Sequence, residues 1–263
     1  MVKKELKDNF KSFIIWLSVL IIMFLIVFLI YPYIITDDKI NNIDELMKVF
    51  PEEILKTFNM DMTSITTAYG WLKSEGFTFI LLIIGIYSSM IGGNILLKEE
   101  DNKTIEYLTS LPVTRSKIIS NKITVSIIYI ISIILILGVF NYTALTISGD
   151  FNHKQYILLS ITPIFIAMPF FSINLFISTF QHKSKKTIGI SLGIVFISYL
   201  FNVLAELSKN VEFLKYISIY TLADIRSVIT NTKINPLMII ISISITIIFI
   251  ISTYIKYNRK EMV

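Results

Sequence analysis

The sequence predicts an all-α integral membrane protein. It should have six transmembrane helices, a short surface helix between spans two and three, and interfacial helices in the first outer loop. Three observations carry this. The 263 residues are 54% hydrophobic and only 16% charged, against about 25% charged in soluble domains. Six runs hold no Asp, Glu, Lys or Arg: Ser12–Thr36, Gly76–Leu97, Ile123–Gly149, Gln155–His182, Thr187–Ala205 and Ile234–Ile255. Each is near the roughly 20 helical residues that cross a bilayer core. The alternating ten-residue segments of an outer-membrane barrel are absent.

The spans are placed at about 13–35, 76–97, 123–147, 155–181, 187–205 and 234–255, forming one transmembrane domain over 1–263. Without cysteine, neither a disulfide framework nor a thiolate metal site is available. The net charge of +5 is spread around the spans and does not point to nucleic acid.

Lysine and arginine concentrate on the cytoplasmic side of membrane proteins. Segments 1–11, 98–122, 183–186 and 256–263 hold fifteen basic residues; 37–75, 150–154 and 206–233 hold nine, over more length. Segment 37–75 also holds eight acidic residues. This places a multi-pass protein in the cell membrane with both termini in the cytoplasm.

In chain order, Val2, Leu6, Phe10 and Phe13 fall near helical spacing among four lysines. Two readings fit: a helix lying in the anionic leaflet before the chain turns inward, or flanking lysines that fix orientation. The apolar run that follows is long, and Tyr31-Pro32-Tyr33 stands where a cleavage site would be, so the first span is read as uncleaved. In the outer loop, Ile43, Leu46, Met47 and Phe50, then Ile54, Leu55 and Phe58 after Pro51, predict two short surface helices. They either cap an exit or cover helix ends.

Span two carries Ser88, Ser89, Gly92 and Gly93; Ser89 and Gly93 share one face and suit close helix packing or a hinge. The short turn 148–154 makes spans three and four an antiparallel hairpin. Pro163 and Pro169 predict a kink or break in span four. Gly189 and Gly193 form a GxxxG in span five, a candidate helix–helix contact. Val211, Leu214, Ile217, Ile225, Val228 and Ile229 mark a re-entrant or interfacial piece before span six.

No glycine begins the phosphate-cradling pattern G-x-x-x-x-G-K-[ST]. The charge-free spans count against an ion-driven carrier, which needs ionisable groups at membrane depth. A metalloprotease built on Glu99-Glu100 would need histidines. His153 falls on the outer side and His182 in a different inner loop, and Thr104 stands where the prenyl-protein protease pattern has arginine. Neither a metal site nor catalytic residues are expected.

The stretch Lys98–Lys122 stands out as the longest polar segment on the basic side. Asp101 or Asn102 would cap a helix beginning near Lys103. Ile105, Leu108 and Leu111 would line one side, with Tyr107 beside them. Pro112 would stop the helix, and Thr114 would cap the next, leading into span three. The segment is either a stiff lever joined to spans two and three or an ordinary loop resting apolar residues on lipid.

The same stretch resembles the type-2 permease family of ATP-binding-cassette transporters. The matching residues are Glu99, Glu100, Thr104, Leu108, Ser110, Leu111-Pro112-Val113-Thr114-Arg115 and Lys122. Lys103 stands where the family has glycine and Tyr107 where it has a leucine. Tyr216-Ile217-Ser218-Ile219-Tyr220 is a fainter likeness, with Ile219 in place of the family's proline.

The resemblance implies a permease that docks on a separate ATP-binding subunit through a cytoplasmic coupling helix formed by Glu99, Glu100, Thr104, Ile105, Leu108, Leu111, Pro112 and Arg115. ATP and Mg would sit on that subunit, with no cofactor on this chain. Two permease chains, identical or different, would work with two ATPases. The implied role is export of an amphiphilic or hydrophobic cargo, a peptide, antibiotic or lipid-like molecule. The alternative is a non-transporting or metal-cofactor-maturation component of the same fold. The lining of spans two and five reads as apolar with Ser, Thr and Asn, and no acidic or basic pocket is expected.

Overall fold

The computed structural model describes residues 2–34, 66–105 and 112–260. No strand occurs among the described residues. Six helices are long and apolar enough to cross a membrane: Val2–Ile30, Ala68–Ile95, Arg115–Ser148, His153–Ser178, Ser184–Leu207 and Pro236–Asn258. The predicted outer-loop helices over 43–58 lie outside the described residues.

Span one differs from expectation. Val2–Ile34 is one helix of 33 residues, about 50 Å long at 1.5 Å per residue. The turn between a surface helix and the span is not formed. Part of the apolar face that suited a leaflet, around Leu6 and Phe13, packs on span three, while Phe10 stays exposed. The Phe13 and Tyr129 rings lie 4.9 Å apart, and the Tyr129 hydroxyl donates to the Leu6 carbonyl. Span three, Arg115–Ser148, is 34 residues long. Both helices exceed the roughly 30 Å hydrocarbon core.

Span two begins eight residues earlier than the charge-free run. The Thr67 hydroxyl caps Ala68–Trp71 by accepting from Gly70 N. A π-helical turn, Leu72–Gly76, then joins it to Phe77–Ile95. Lys73 and Glu75 therefore ride on the helix at its N-terminal end, where charge counting ended the span. Ser74 donates back to the Gly70 and Trp71 carbonyls.

Span two is the centre of the bundle, packed on spans four and five; span four also packs on span six, and span one on span three. Small residues permit the central contacts. A Cβ added at Gly92 would sit 2.3 Å from the Phe171 carbonyl oxygen. One at Gly93 would sit 2.7 Å from Ser191 Oγ. Ser89, one turn from Gly93, is fully buried. A Cβ added at Gly189 or Gly193 would meet nothing within 4 Å, so among the described residues the GxxxG face makes no helix–helix contact. Their side of span five is turned outward, while Thr187, Ser191, Val195 and Ser198 are buried.

Span four is broken where proline predicted. His153–Ile161 ends at Thr162, and Pro163 opens Pro163–Ser178 at its first position, where its missing N–H costs nothing. Pro169 is accommodated inside that helix.

The segment after span five folds back into the bundle. It forms 3-10 turns at Lys209–Tyr216 and Ile219–Ala223, then the helix Ile225–Asn231. Ser218 Oγ donates to the Ser198 carbonyl at 2.7 Å, and Ile219 N donates to Ser198 Oγ at 2.8 Å. Ser198 lies nine residues before the end of span five, about 14 Å along the helix. Below it, the buried Tyr220 ring packs on Phe170 and Tyr199, and its hydroxyl abuts Gly85 of span two. The piece is re-entrant, with its descending backbone hydrogen-bonded to protein, as non-helical chain at membrane depth requires.

Candidate functional site

Leaving span two, the chain buries Leu96 and Leu97 and makes one short helix, Lys98–Asp101. This helix ends in a Schellman motif. Lys103 N donates to the Glu100 carbonyl, Thr104 N donates to the Glu99 carbonyl, and Lys103 takes the left-handed conformation at φ 55°. Asp101 and Asn102 therefore close a helix rather than open one, which corrects the capping expectation. Lys103 does the backbone task for which glycine is best suited, and it is the position where the resembled family has glycine.

Ile105 is helical and buried. Leu108 and Leu111 of the predicted lever lie outside the described residues. Thr104 and Pro112 are exposed. Thr114 Oγ1 accepts from Lys117 N and so caps span three as predicted.

The three consecutive acids of the short helix reach different elements; Glu100 is buried, Glu99 half-buried and Asp101 exposed. Glu99 accepts from Lys122 Nζ of span three at 2.7 Å. Lys122 is fully buried, donates to the Ile95 carbonyl at 2.7 Å, and pairs at 3.1 Å with Glu5 of span one. Glu100, also buried, pairs at 2.6 Å with Lys260, just past span six, and at 3.1 Å with His182 before span five. Asp101 Oδ2 accepts from Ser184 N at 3.0 Å and so serves the N-terminus of span five.

Arg115 completes the tie. Its guanidinium donates to the Asn258 and Lys260 carbonyls, satisfying the end of span six. Lys260 also donates to the Gln181 carbonyl. Ser116 bonds Asn258, and Ser120 bonds Tyr254, in the same seam. Both termini thus meet the 98–122 segment on one side of the bundle.

Sequence reasoning named Glu99, Glu100, Thr104, Ile105, Pro112 and Arg115 for ATPase coupling but did not show what the acids hold. Glu5, Asp101, Lys122, His182 and Lys260 complete the cluster. One signal was available: the basic-side segments hold only seven acids, and three of them are consecutive, Glu99, Glu100 and Asp101. His182 lies in its separate loop, as read, and yet reaches Glu100 from there. Among the described residues, no group of three His, Cys, Asp or Glu side chains is arranged to hold a metal.

One short helix is fastened to spans one, three, five and six while continuing span two.

A sequence model described as ABC-2 family transporter protein matches residues 1–262. No curated protein and no solved structure matches the chain.

Proposed function

The chain belongs to the ABC-2 family of transporter proteins, and from that we propose that it is the permease of an ATP-driven exporter, worked through residues 98–115 by a separate ATPase. Six apolar helices and the family make it a multi-pass membrane component of an ABC transporter. In this reading the basic side, with both termini, faces the cytoplasm and meets the ATPase. ATP and Mg belong to that subunit, and the working unit is two permease chains with two ATPases. The cargo is amphiphilic or hydrophobic.

The observation that supports it is the acidic triplet. The segment resembling a coupling helix runs between Asp101 and Arg115. Glu99, Glu100 and Asp101 at its start, with Arg115 at its end, are bonded to spans three and five and to the end of span six, and Lys122, the partner of Glu99, carries the tie on to Glu5 of span one. A displacement imposed on residues 105–112 is therefore shared among five helices instead of flexing one loop. Glu99 and Glu100 transmit from within, while Ile105, Leu108, Leu111 and Pro112 form the docking piece.

The test is to purify the chain with its partner ATPase after replacing residues 105–112 by a Gly-Ser linker of equal length, leaving the triplet and Arg115 intact. Thermal stability of the permease should be retained, while ATPase association and ATP-dependent export from inverted vesicles are lost. Survival of both association and export would sink the proposal.

A further inference from the structure

On the side opposite the termini, span two, span five and the re-entrant segment enclose a cavity of about 430 Å³, within the ~300–1,000 Å³ usual for small-molecule sites. The sequence reading expected no charged pocket, because its charges come from separate stretches of the loop after span five. The wall carries three carboxylates, Glu206, Glu212 and Asp224, and three cations, Lys209, Lys215 and Arg226. Leu81, Tyr199 and Tyr220 give it an apolar, aromatic floor.

Four of the six charges are spent on each other. Glu212 and Lys215 pair at 2.5 Å, and Arg226 approaches Glu206 at 4.0 Å. Lys209 and Asp224 have no ion-pair partner within 4 Å among the described residues. Asp224 Oδ1 accepts from Ser227 N at 3.4 Å, leaving Oδ2. The wall is thus neutral in sum; Lys209, whose charge also acts on Glu212, and Asp224 are the cation and anion that make no salt bridge among the described residues.

A simple anion would meet three carboxylates there, and a simple cation three basic groups. A ligand carrying both charges satisfies both. The half-buried Tyr199 ring, held in place by the buried Tyr220 behind it, adds an aromatic surface of the kind that attracts ammonium groups.

We propose that this cavity binds a zwitterionic head group, an ammonium or quaternary ammonium joined to an oxyanion, with Lys209 meeting the oxyanion and Asp224 the cation. As a statement about cargo it rests on the export reading and narrows it. As a statement about binding it stands without the ATPase.

The experiment uses the full chain in nanodiscs of purely anionic lipid, with no ATPase present. Glycerophosphocholine is titrated against it by calorimetry, beside glycerol phosphate, choline and a short-chain lysophosphatidylcholine. Glycerophosphocholine should bind saturably, with glycerol phosphate and choline at least tenfold weaker. Lys209→Gln and Asp224→Asn should each weaken it about tenfold at unchanged melting temperature. Asparagine tolerates the left-handed conformation at 224 (φ 41°) and keeps the cap. Binding of the lysolipid alone, with the same variant sensitivity, identifies an amphiphile as the source and supports the site. Equal binding of glycerol phosphate or choline, indifference to both variants, or no binding of either zwitterion overturns it. Intact binding alongside export that survives the 105–112 replacement would remove the coupling reading and leave the site standing.

Discussion

Replacing Lys122 with methionine should destabilise the protein by about 3–5 kcal/mol, the usual cost of removing one member of a buried charge pair. The ammonium donates to both Glu99 oxygens and to the Ile95 carbonyl and pairs with Glu5, all within 3.1 Å. Its removal leaves two carboxylates, with side chains only 15% and 8% exposed, beside each other without a counter-charge. Counting bonds gives the same order, since each hydrogen bond to a charged group contributes about 1.5–3 kcal/mol. The assay is the midpoint for loss of monodisperse protein after heating in detergent. At about 2–4 °C per kcal/mol, it should fall by roughly 6–20 °C. Adding Glu5→Gln and Glu99→Gln to Lys122→Met removes the stranded charges, and most of the loss should return. A single variant within about 1 kcal/mol of the parent, or a triple variant no better than the single, would refute the reasoning.

Three further outcomes follow from the packing. Gly92→Ala must push the Phe171 carbonyl aside and should cost about 1–3 kcal/mol, whereas Gly189→Ala and Gly193→Ala should leave the melting midpoint in place; the three midpoints in one detergent decide it. Ser198→Ala takes the acceptor from the Ile219 N–H, costing about 1–3 kcal/mol, and should accelerate amide exchange at Ile219 and Tyr220 without affecting spans one and three. The hydrogen bond and charge of Lys215 hold the Glu212 carboxyl below the usual carboxylate range. The pair is therefore complete above the ordinary carboxylate pKa and is lost as pH falls through the lowered one. An NMR titration of the Glu212 carboxyl should show the depressed midpoint, and Lys215→Ala should bring it back up.

The six spans were legible because uncharged runs are a direct record of bilayer thickness. Their ends were less so. Lys73 and Glu75 ended span two on paper, yet a helix continues through charges where it nears the membrane surface. The amphipathic start of span one read as a lipid-facing stripe because a sequence shows that a face is apolar, not what covers it; here span three covers part of it. The Asp101-Asn102-Lys103 run contains residues that both start and stop helices, and only the left-handed φ of Lys103 separates the two. The acidic triplet was visible, but its partners were not: Glu5, Lys122, His182 and Lys260 are scattered from one terminus to the other, and no local period links them. The outer cavity was hidden for a similar reason, since its floor comes from spans two and five and its wall mainly from a later loop.

The acidic triplet also fixes rotational phase. Successive helical residues point about 100° apart, so three adjacent carboxylates address three directions from a single turn. One residue inserted or deleted between Leu96 and Lys98 would swing the whole set by that angle. Each acid would then face its neighbour's counterpart, though no side chain had been altered. Length in this stretch should therefore tolerate less change than composition, and a conservative-looking indel there should do more harm than any one of the three carboxylates exchanged for its amide.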